Sequence, residues 1–362
     1  MSTTSTSTRP RFAIVGAGVI GKEHGKVMSQ LADRLELVAV VDVELDRAEA
    51  LAAERGGMAF ASLTEAFEAT DIDVVSVCTP TGLHGVVAIE ALEAGKHVVI
   101  EKPAEVTTDK TDAIIAAQKQ AGTLVTVISQ HRFDPATEVV LQAIQDGRLG
   151  RVTSGIAAVD WWRSQSYYDS GDWRGTWELD GGGAMMNQGV HTVDLLVAAL
   201  GRPVEVFAYT GTLAHDRVET EDVATAVVKF ESGALGMVHA STSVYPGLSA
   251  RLQVHGDHGS AVIDNDQLAY IHLAPEDAPE GAGIPPDADN QVGDRGSVTE
   301  AAAAGRNPGQ LSDAHRLQYL NVLGALAGTE QLRVDLATNR QAIAVITGAY
   351  ESARTGRPVS LT

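Results

Sequence analysis

A single cysteine, Cys78, stands in a chain of 362 residues. No intrachain disulfide can form, and a disulfide-stapled scaffold is excluded. The residue closes the apolar run VVSVC, the setting of a buried, inert thiol. No apolar run approaches the roughly twenty residues of a membrane span. The polar N-terminus MSTTSTSTRP lacks the apolar core of a secretory signal and reads as a disordered tail. The chain is therefore expected in the cytoplasm. Cations are scarce: Lys and Arg number 27 against 47 Asp and Glu, for a formal net charge of −20. That balance argues against a nucleic-acid partner, whose affinity comes largely from cations on phosphates, and against an anionic membrane surface. A small anionic ligand stays open, because a local basic pocket overrides the global field. The 11 histidines are scattered with no Cys/His cluster, and His191-x-x-Asp194 is not ligand spacing, so no metal site is expected.

The remaining composition is that of a globular chain, 44% hydrophobic and 20% charged, long enough for about two domains. The first third alternates apolar strands with helix patterns. RFAIV (11–15), LELVAVVD (35–42), IDVVSVC (72–78), HVVI (97–100) and TLVTVIS (123–129) are the strands. Continuous apolar strands between helices indicate a parallel sheet covered on both faces. SLTE (62–65) has the spacing of a capping box. The pattern changes near Gln130. A helix at 135–146 precedes longer, alternating strands divided by turns such as Ser232–Gly233 and Gly256–Asp257, which indicate an antiparallel or mixed sheet. Residues 275–310 read as a long loop, and helix patterns at 311–327 and 337–354 close the chain. Two domains are expected, at 1–130 and 131–362, in an α/β chain whose second half is α+β.

GAGVIG follows the first strand and opens a helix. Gly16 permits a tight turn, Gly18 lets the backbone approach a pyrophosphate, and Gly21 lets helix and strand pack closely. Val19 and Ile20 begin the helix whose free N–H groups and positive dipole end face the phosphates. Asp42 ends the second strand about twenty residues on, where a carboxylate accepts ribose hydroxyls. That carboxylate would repel a 2′-phosphate. Val43 and Glu44 supply no cation, and Arg47 lies a helical turn further. NAD is favoured over NADP.

CTPTGLH (78–84) and IEKP (100–103) each follow a parallel strand, on the side where such folds bind ligands. Thr79, Pro80, Thr81, His84, Glu101 and Lys102 are therefore expected to line the cofactor site, with Lys102 beside the nicotinamide. Taken with HRFDP (131–135) and GGGAMMNQGVHTVDLL (181–196), these motifs have the order and spacing of the Gfo/Idh/MocA oxidoreductases, which the chain resembles over nearly its whole length. The resemblance implies a Rossmann domain followed by a domain with a large open, mostly antiparallel sheet. It also implies homodimers or homotetramers built through that sheet, and hydride transfer between a nicotinamide and a hydroxyl carbon of a sugar or cyclitol.

In the glycine-led stretch, Met186, Val190, Val193, Val197 and Leu200 follow a helical period and form a buried face. Asn187, His191 and Asp194 form an adjacent stripe. The glycines let the helix begin close against another surface. The resemblance puts Lys102 and His191 at the reacting hydroxyl, with Asn187 standing where an aspartate is commoner. Alcohol oxidation leaves a proton for the protein to remove. Histidine titrates near working pH, whereas asparagine accepts no proton. His191 is the expected base. Lys102 polarises the oxygen, and Asn187 orients substrate or Lys102. A proton relay through Lys102 is the second assignment. Asp194 caps or orients its neighbours.

Aromatics make up only 5% of the chain, yet all 4 tryptophans fall in DWWRSQSYYDSGDWRGTWELD (160–180). Core packing and ligand contact both account for such a cluster. For ligand contact, Arg163, Tyr168, Trp173 and Arg174 are the candidates, since sugar rings meet aromatics and acids meet arginine. By resemblance, His131 and Arg132 line a cleft, Tyr245 at a strand end reaches the substrate, and the whole run is similar to family members acting at sugar C3, including dehydrogenases of nucleotide-linked sugar acids. Two other readings use the same parts. One is an NAD-dependent glycoside hydrolase that oxidises and re-reduces its substrate. The other is a non-catalytic sensor of NAD and sugar.

Overall fold

The computed structural model describes residues 9–275, 289–294 and 311–361. The N-terminal tail up to residue 8 and most of the 275–310 loop lie outside the described residues. The chain divides into two compact units, one of Met1–Glu105, Asp109–Ile128 and Leu311–Ala337, the other of Val106–Thr108, Ser129–Gln310 and Thr338–Thr362.

The first unit is built on β1 (Arg11–Val15), α1 (Val19–Gln30), β2 (Glu36–Val41), α2 (Leu45–Arg55), β3 (Met58–Phe60), α3 (Leu63–Ala69), β4 (Val74–Val77), α4 (His84–Glu93), β5 (His97–Ile100), α5 (Thr108–Ala121) and β6 (Val125–Val127). Its sheet runs β3-β2-β1-β4-β5-β6, and every pairing is parallel. β4 is buried along its whole length, as an apolar strand covered on both faces must be. At α3, Ser62 Oγ accepts from Glu65 N at 3.2 Å, and the Glu65 carboxylate accepts from Ala61 N at 3.2 Å, so the capping-box residues satisfy the helix start. β3 is a strand absent from the sequence reading: three residues are too short to show a period.

The first unit also takes in a helix from late in the chain, Leu311–Leu326. A linear boundary near Gln130 gave no sign of this return. Gln318 Nε2 donates to Val127 O at 2.8 Å, and Tyr319 is fully buried with Phe12, Ile14 and Met28.

The second unit contains α6 (Pro135–Gln145), β7 (Val152–Asp160), α7 (Gln165–Tyr168), α8 (Val190–Leu200), β8 (Pro203–Gly211), β9 (Val223–Phe230), β10 (Leu235–Ser241), β11 (Ala250–Gly256), β12 (Gly259–Asp264) and β13 (Gln267–Leu273). The Leu311–Leu326 helix is α9; α10 (Leu336–Thr355) and β14 (Val359–Ser360) follow it. The sheet order is β13-β12-β11-β7-β10-β9-β8-β14. β7 and β10 pair in parallel and the other pairs are antiparallel. Burial alternates along β9, the mark of a sheet covered on one face. Residues of α6, α8 and α10 share that covered core, among them Val140, Val193 and Ile346. α8 seats closely because Gly155 and Gly236 lie beneath it: a Cβ on Gly155 would come within 2.8 Å of Leu196, and one on Gly236 within 3.2 Å of it. Among the described residues, no helix is long and apolar enough to cross a membrane.

Candidate active site

The glycines of the first unit divide their tasks. Gly16 has φ +101, and a Cβ there would press on Cys78 O at 2.6 Å. A Cβ on Gly21 would overlap the Gly16 carbonyl. Gly18, the N-cap of α1, makes no side-chain cap, and a Cβ on it would meet nothing within 4 Å. The backbone at the helix start is therefore open where a phosphate needs it. Asp42 Oδ2 accepts from Ala17 N at 2.7 Å and Oδ1 from Glu44 N at 2.9 Å. The carboxylate thus braces the loop and retains lone pairs for hydroxyls. Arg47 is engaged by Glu44 at 3.4 Å. At the end of β4, Thr79 Oγ1 is buried with no hydrogen-bond partner among the described residues. The open Gly18, the braced Asp42 and the orphaned Thr79 hydroxyl fit a dinucleotide. Gly18→Ala should leave the thermal midpoint near that of the parent while weakening NAD binding by at least about tenfold, since its methyl occupies the phosphate path. Calorimetric titration with NAD checks this.

Two residues expected to touch the cofactor are buried against protein partners. His84 is buried, with Nε2 2.9 Å from Thr79 O and Nδ1 2.8 Å from Pro103 O, so it ties together the two strand-end loops. Glu101 is 4% exposed. It binds His24 Nε2 at 2.8 Å, lies 3.5 Å from His315 Nε2, and accepts from Lys102 N at 3.0 Å. Burial raises its carboxyl, but the two imidazoles outweigh that and hold it well below the usual range. It anchors the backbone that carries Lys102. Folding thus gathers histidines that are scattered in sequence. His24 and His315 meet at Glu101, and His131 meets Asp134 and Asp266.

In the second unit the glycine-led stretch starts with a π-helical turn, Ala184–Gly189, which runs into α8. Met186, Val190, Val193, Val197 and Leu200 are buried as the period requires. Asn187 and His191 are half-buried beside them. The glycine readings hold at atomic level: a Cβ on Gly182 would strike the Tyr350 hydroxyl, and one on Gly183 the Glu221 carbonyl. Glu221, unread in the sequence, caps this start. Its carboxylate accepts from Gly183 N at 2.9 Å, Met185 N at 2.7 Å and Tyr350 OH at 3.0 Å. Burial outweighs those hydrogen bonds and pushes its carboxyl up to about 7.

Asp194 binds Arg132 through two hydrogen bonds, 2.6 and 2.7 Å. Arg132 is 7% exposed and is held in this pair. His131 contacts the His191 ring edge-on at 4.9 Å between centroids. Its Nδ1 lies 2.9 Å from both Asp134 and Asp266. Burial pushes the imidazole down, but the two carboxylates prevail and raise it to about 10.

The aromatic segment divides as well. Tyr168 is 7% exposed, donating or accepting at Thr242 Oγ1 over 2.7 Å and packed on His215 at 4.7 Å; it is a core residue. Tyr245 lies beyond the end of β10, exposed and edge-on to Trp162 at 5.4 Å, so it is a loop residue and not a strand end. Arg174 stacks on Tyr167 at 4.3 Å and Trp173 at 4.4 Å, and Arg163 lies over Trp161 and Tyr167 at 5.2 and 5.3 Å. Among the described residues neither arginine pairs with a carboxylate, and Arg163 Nε is buried without a partner.

Residues 10–129 match the oxidoreductase family with the NAD-binding Rossmann fold, and residues 137–262 match the GFO/IDH/MocA C-terminal domain. Inositol 2-dehydrogenase of Rhizobium meliloti is 30% identical over 280 residues, 74% of this chain and 79% of that protein. The chain belongs to the GFO/IDH/MocA oxidoreductase family. D-glucoside 3-dehydrogenase of Escherichia coli is 34% identical over 208 residues, 56% of this chain and 57% of its own. The crystal structure of the WlbA dehydrogenase from Bordetella pertussis, in complex with NADH and UDP-GlcNAcA, superposes with TM-score 0.87 at 33% identity, covering 99% of each chain. The protein is accordingly an NAD-binding oxidoreductase with a Rossmann domain and an open, mixed second sheet, as its motifs implied.

Within this family member, Glu221 offers a pH test. The folded carboxyl holds its proton up to about 7, against an ordinary value of 4.5. Its contribution to stability is fully present below the ordinary value and is lost as pH rises through the folded one. Glu221→Gln does not titrate. Between pH 5 and 8 the parent should therefore lose on the order of 2–3 kcal/mol relative to the variant. Denaturant melts of both proteins across that range decide it; parallel curves would show that the carboxyl is ionised throughout.

Proposed function

We propose that the protein oxidises a secondary hydroxyl of an anionic sugar, of the nucleotide-linked sugar-acid class, with NAD as hydride acceptor. The observation that carries the substrate class is the Arg163–Tyr167–Arg174 stack. Two guanidiniums stand there with no carboxylate partner among the described residues, in a chain with a net charge of −20. Where acids are so abundant, leaving two arginines unneutralised makes sense if a ligand supplies the anion. The UDP-GlcNAcA held by the WlbA dehydrogenase is a ligand of this chemistry, and the name of the Escherichia coli relative agrees with reaction at C3.

The nicotinamide, when bound, accepts the hydride. The remaining steps fall to this chain. His191 removes the hydroxyl proton as general base. Lys102 stabilises negative charge as it develops on the oxygen. Asn187 orients the reacting group by hydrogen bonding. Gly16, Gly18 and Gly21, with Val19, Ile20 and Asp42, hold the dinucleotide, and Thr79, Pro80 and Thr81 bound it at the strand end. Asp42 and the Glu44–Arg47 pair disfavour a 2′-phosphate, which supports NAD over NADP. Trp173 contributes a ring face, and Tyr245 is positioned by its exposed loop to meet a large ligand.

The uncovered face of the second sheet shows Tyr209, Val227, Leu235 and Met237 at 71, 56, 61 and 42% exposure. Such a patch fits a surface joining copies of the chain, as homodimer or homotetramer. The cytoplasm supplies the NAD and nucleotide sugars this reading needs.

Growth of NADH absorbance on neutral sugars, free sugar acids and nucleotide-linked sugar acids tests the proposal. Turnover should be confined to the acids, and Arg174→Ala should raise KM for them by about 10- to 100-fold, the share of a charge-assisted hydrogen bond. Equal turnover of neutral sugars would remove the anionic requirement.

A further inference from the structure

The hydrogen bonds that join Asn187 to Gln188 and Asp180 have one consistent direction. Arginine only donates, so the Arg163 NH2 group, 2.9 Å from Gln188 Oε1, sets that oxygen toward Arg163. Gln188 Nε2 must then face the other way. It donates to Tyr167 OH and to Asn187 Oδ1, each at 3.2 Å. With its oxygen taken up on that side, Asn187 turns Nδ2 toward Asp180 Oδ1, at 2.6 Å. Asp180 is 2% exposed, and its other oxygen accepts from Gly175 N at 2.9 Å. One carboxylate therefore joins two elements. It holds the backbone immediately behind Arg174, and it holds the amide one turn ahead of His191. Tyr167 closes the circuit by accepting from Arg174 at 2.7 Å.

We propose that Asp180 is a positioning residue for the oxidation: through Asn187 it couples the arginines that anchor the substrate to the helix that presents His191. The proposal rests on the catalytic reading of Asn187 and His191. The amide at 187 is then a requirement of this network. A carboxylate there would face the Asp180 carboxylate across a hydrogen-bond distance, and two such groups hold one proton between them. An amide gives the network a donor toward Asp180 and an acceptor toward Gln188, and leaves the negative charge buried one residue behind the site. Polarised by that charge, the Asn187 carbonyl is a stronger acceptor for whatever it orients.

An exchange of the two side chains isolates the effect. In Asp180→Asn, one oxygen must serve both Gly175 N and Asn187 Nδ2, while the new amide nitrogen faces a donor. In Asn187→Asp, two carboxylates meet. In the double variant Asp180→Asn/Asn187→Asp the bonds from Gly175 N, between positions 180 and 187, and from Gln188 Nε2 can all re-form, with the charge moved across a single bond. Each single substitution should lower kcat by about 10- to 100-fold with KM for NAD unchanged. The double variant should recover most of that loss, because the two positions act as a unit. Asn187→Asp should also bring a new ionisation into the pH dependence of kcat. Charged and titratable groups linked to it within the second unit include Asp180, Tyr167 and Arg163, and the proposed mechanism adds His191 and Lys102; all are present in the parent, so comparison with the parent isolates the new group.

A spectroscopic readout does not depend on turnover. The side-chain amide of Asn187, selectively labelled with nitrogen-15, should show one proton shifted downfield by the Asp180 bond, and Asp180→Asn should abolish that shift. Folded single variants that turn over like the parent overturn the proposal, as does a double variant with losses that simply add. Failure of the underlying reading shows differently: His191→Ala would then retain activity, whatever the Asp180 variants do.

Discussion

His191→Ala is expected to lower kcat by about 10²–10⁴-fold, the usual share of general acid–base catalysis, with NAD affinity unchanged. Oxidation of an alcohol places negative charge on oxygen unless a base withdraws the proton. His191 is half-buried and touches His131 edge-on at 4.9 Å. His131, held by Asp134 and Asp266 and raised to about 10, keeps its proton at neutral pH. Lys102→Met, which removes the cation and nearly conserves the volume, should cost about 10²–10³-fold, as loss of an oxyanion-stabilising donor does. Together the two should cost less than the product of the separate losses if, as proposed, both act on one oxygen. Steady-state NADH formation on a competent sugar acid, with NAD binding measured in parallel, gives each value. Turnover within a few-fold of the parent in His191→Ala would remove the residue from the role and transfer it to the Lys102 relay.

Gly183→Ala should be the most disruptive single methyl in the second unit. Its Cβ would overlap the Glu221 carbonyl oxygen and approach Thr220 Oγ1 to 2.9 Å. Neither neighbour yields easily. The Glu221 carbonyl accepts from Ala184 N at 2.9 Å, and the Glu221 carboxylate accepts from Gly183 N at 2.9 Å. Forced into a packed interior, an added carbon costs about 1–3 kcal/mol or more. That amounts to a fall in thermal midpoint of roughly 2–4 °C per kcal/mol in a unit of this size. The displacement also reaches the amide proposed to orient the substrate, since the Gly183 carbonyl accepts from Asn187 N at 3.0 Å. A kcat loss of at least about tenfold should accompany the lower midpoint. Scanning calorimetry and turnover on the same preparation check both; a stable, fully active variant would show that the segment can slide away from Glu221.

The parallel half of the fold was legible because its strands are continuous apolar runs and its helices end on glycines such as Gly56 and Gly95, both at positive φ. The dinucleotide loop was legible because three glycines at fixed spacing answer three local needs. The buried stripe from Met186 to Leu200 was legible from its period, although the π-helical turn that opens it was not. Side-chain spacing alone does not distinguish one extra residue in a turn. The return of α9 was hidden for another reason. Its evidence is long-range contact, such as Tyr319 OH at 2.7 Å from His24, and no chain-local pattern records that.

Chain-local physics determined the kinds of element, the cofactor loop and the buried period of the glycine-led stretch, since each depends on neighbours within a few residues. Tertiary structure alone decided which polar side chains remain available to a ligand. Arg132, Tyr168, His84 and Glu101 carried the residue types of a binding site, and each is committed to a buried partner: Asp194, Thr242, two loop carbonyls and His24. Arg163 and Arg174, of the same types, have no carboxylate against them among the described residues. A hydrogen-bond partner is chosen by distance and direction in space, and a sequence specifies those only after the whole chain has packed.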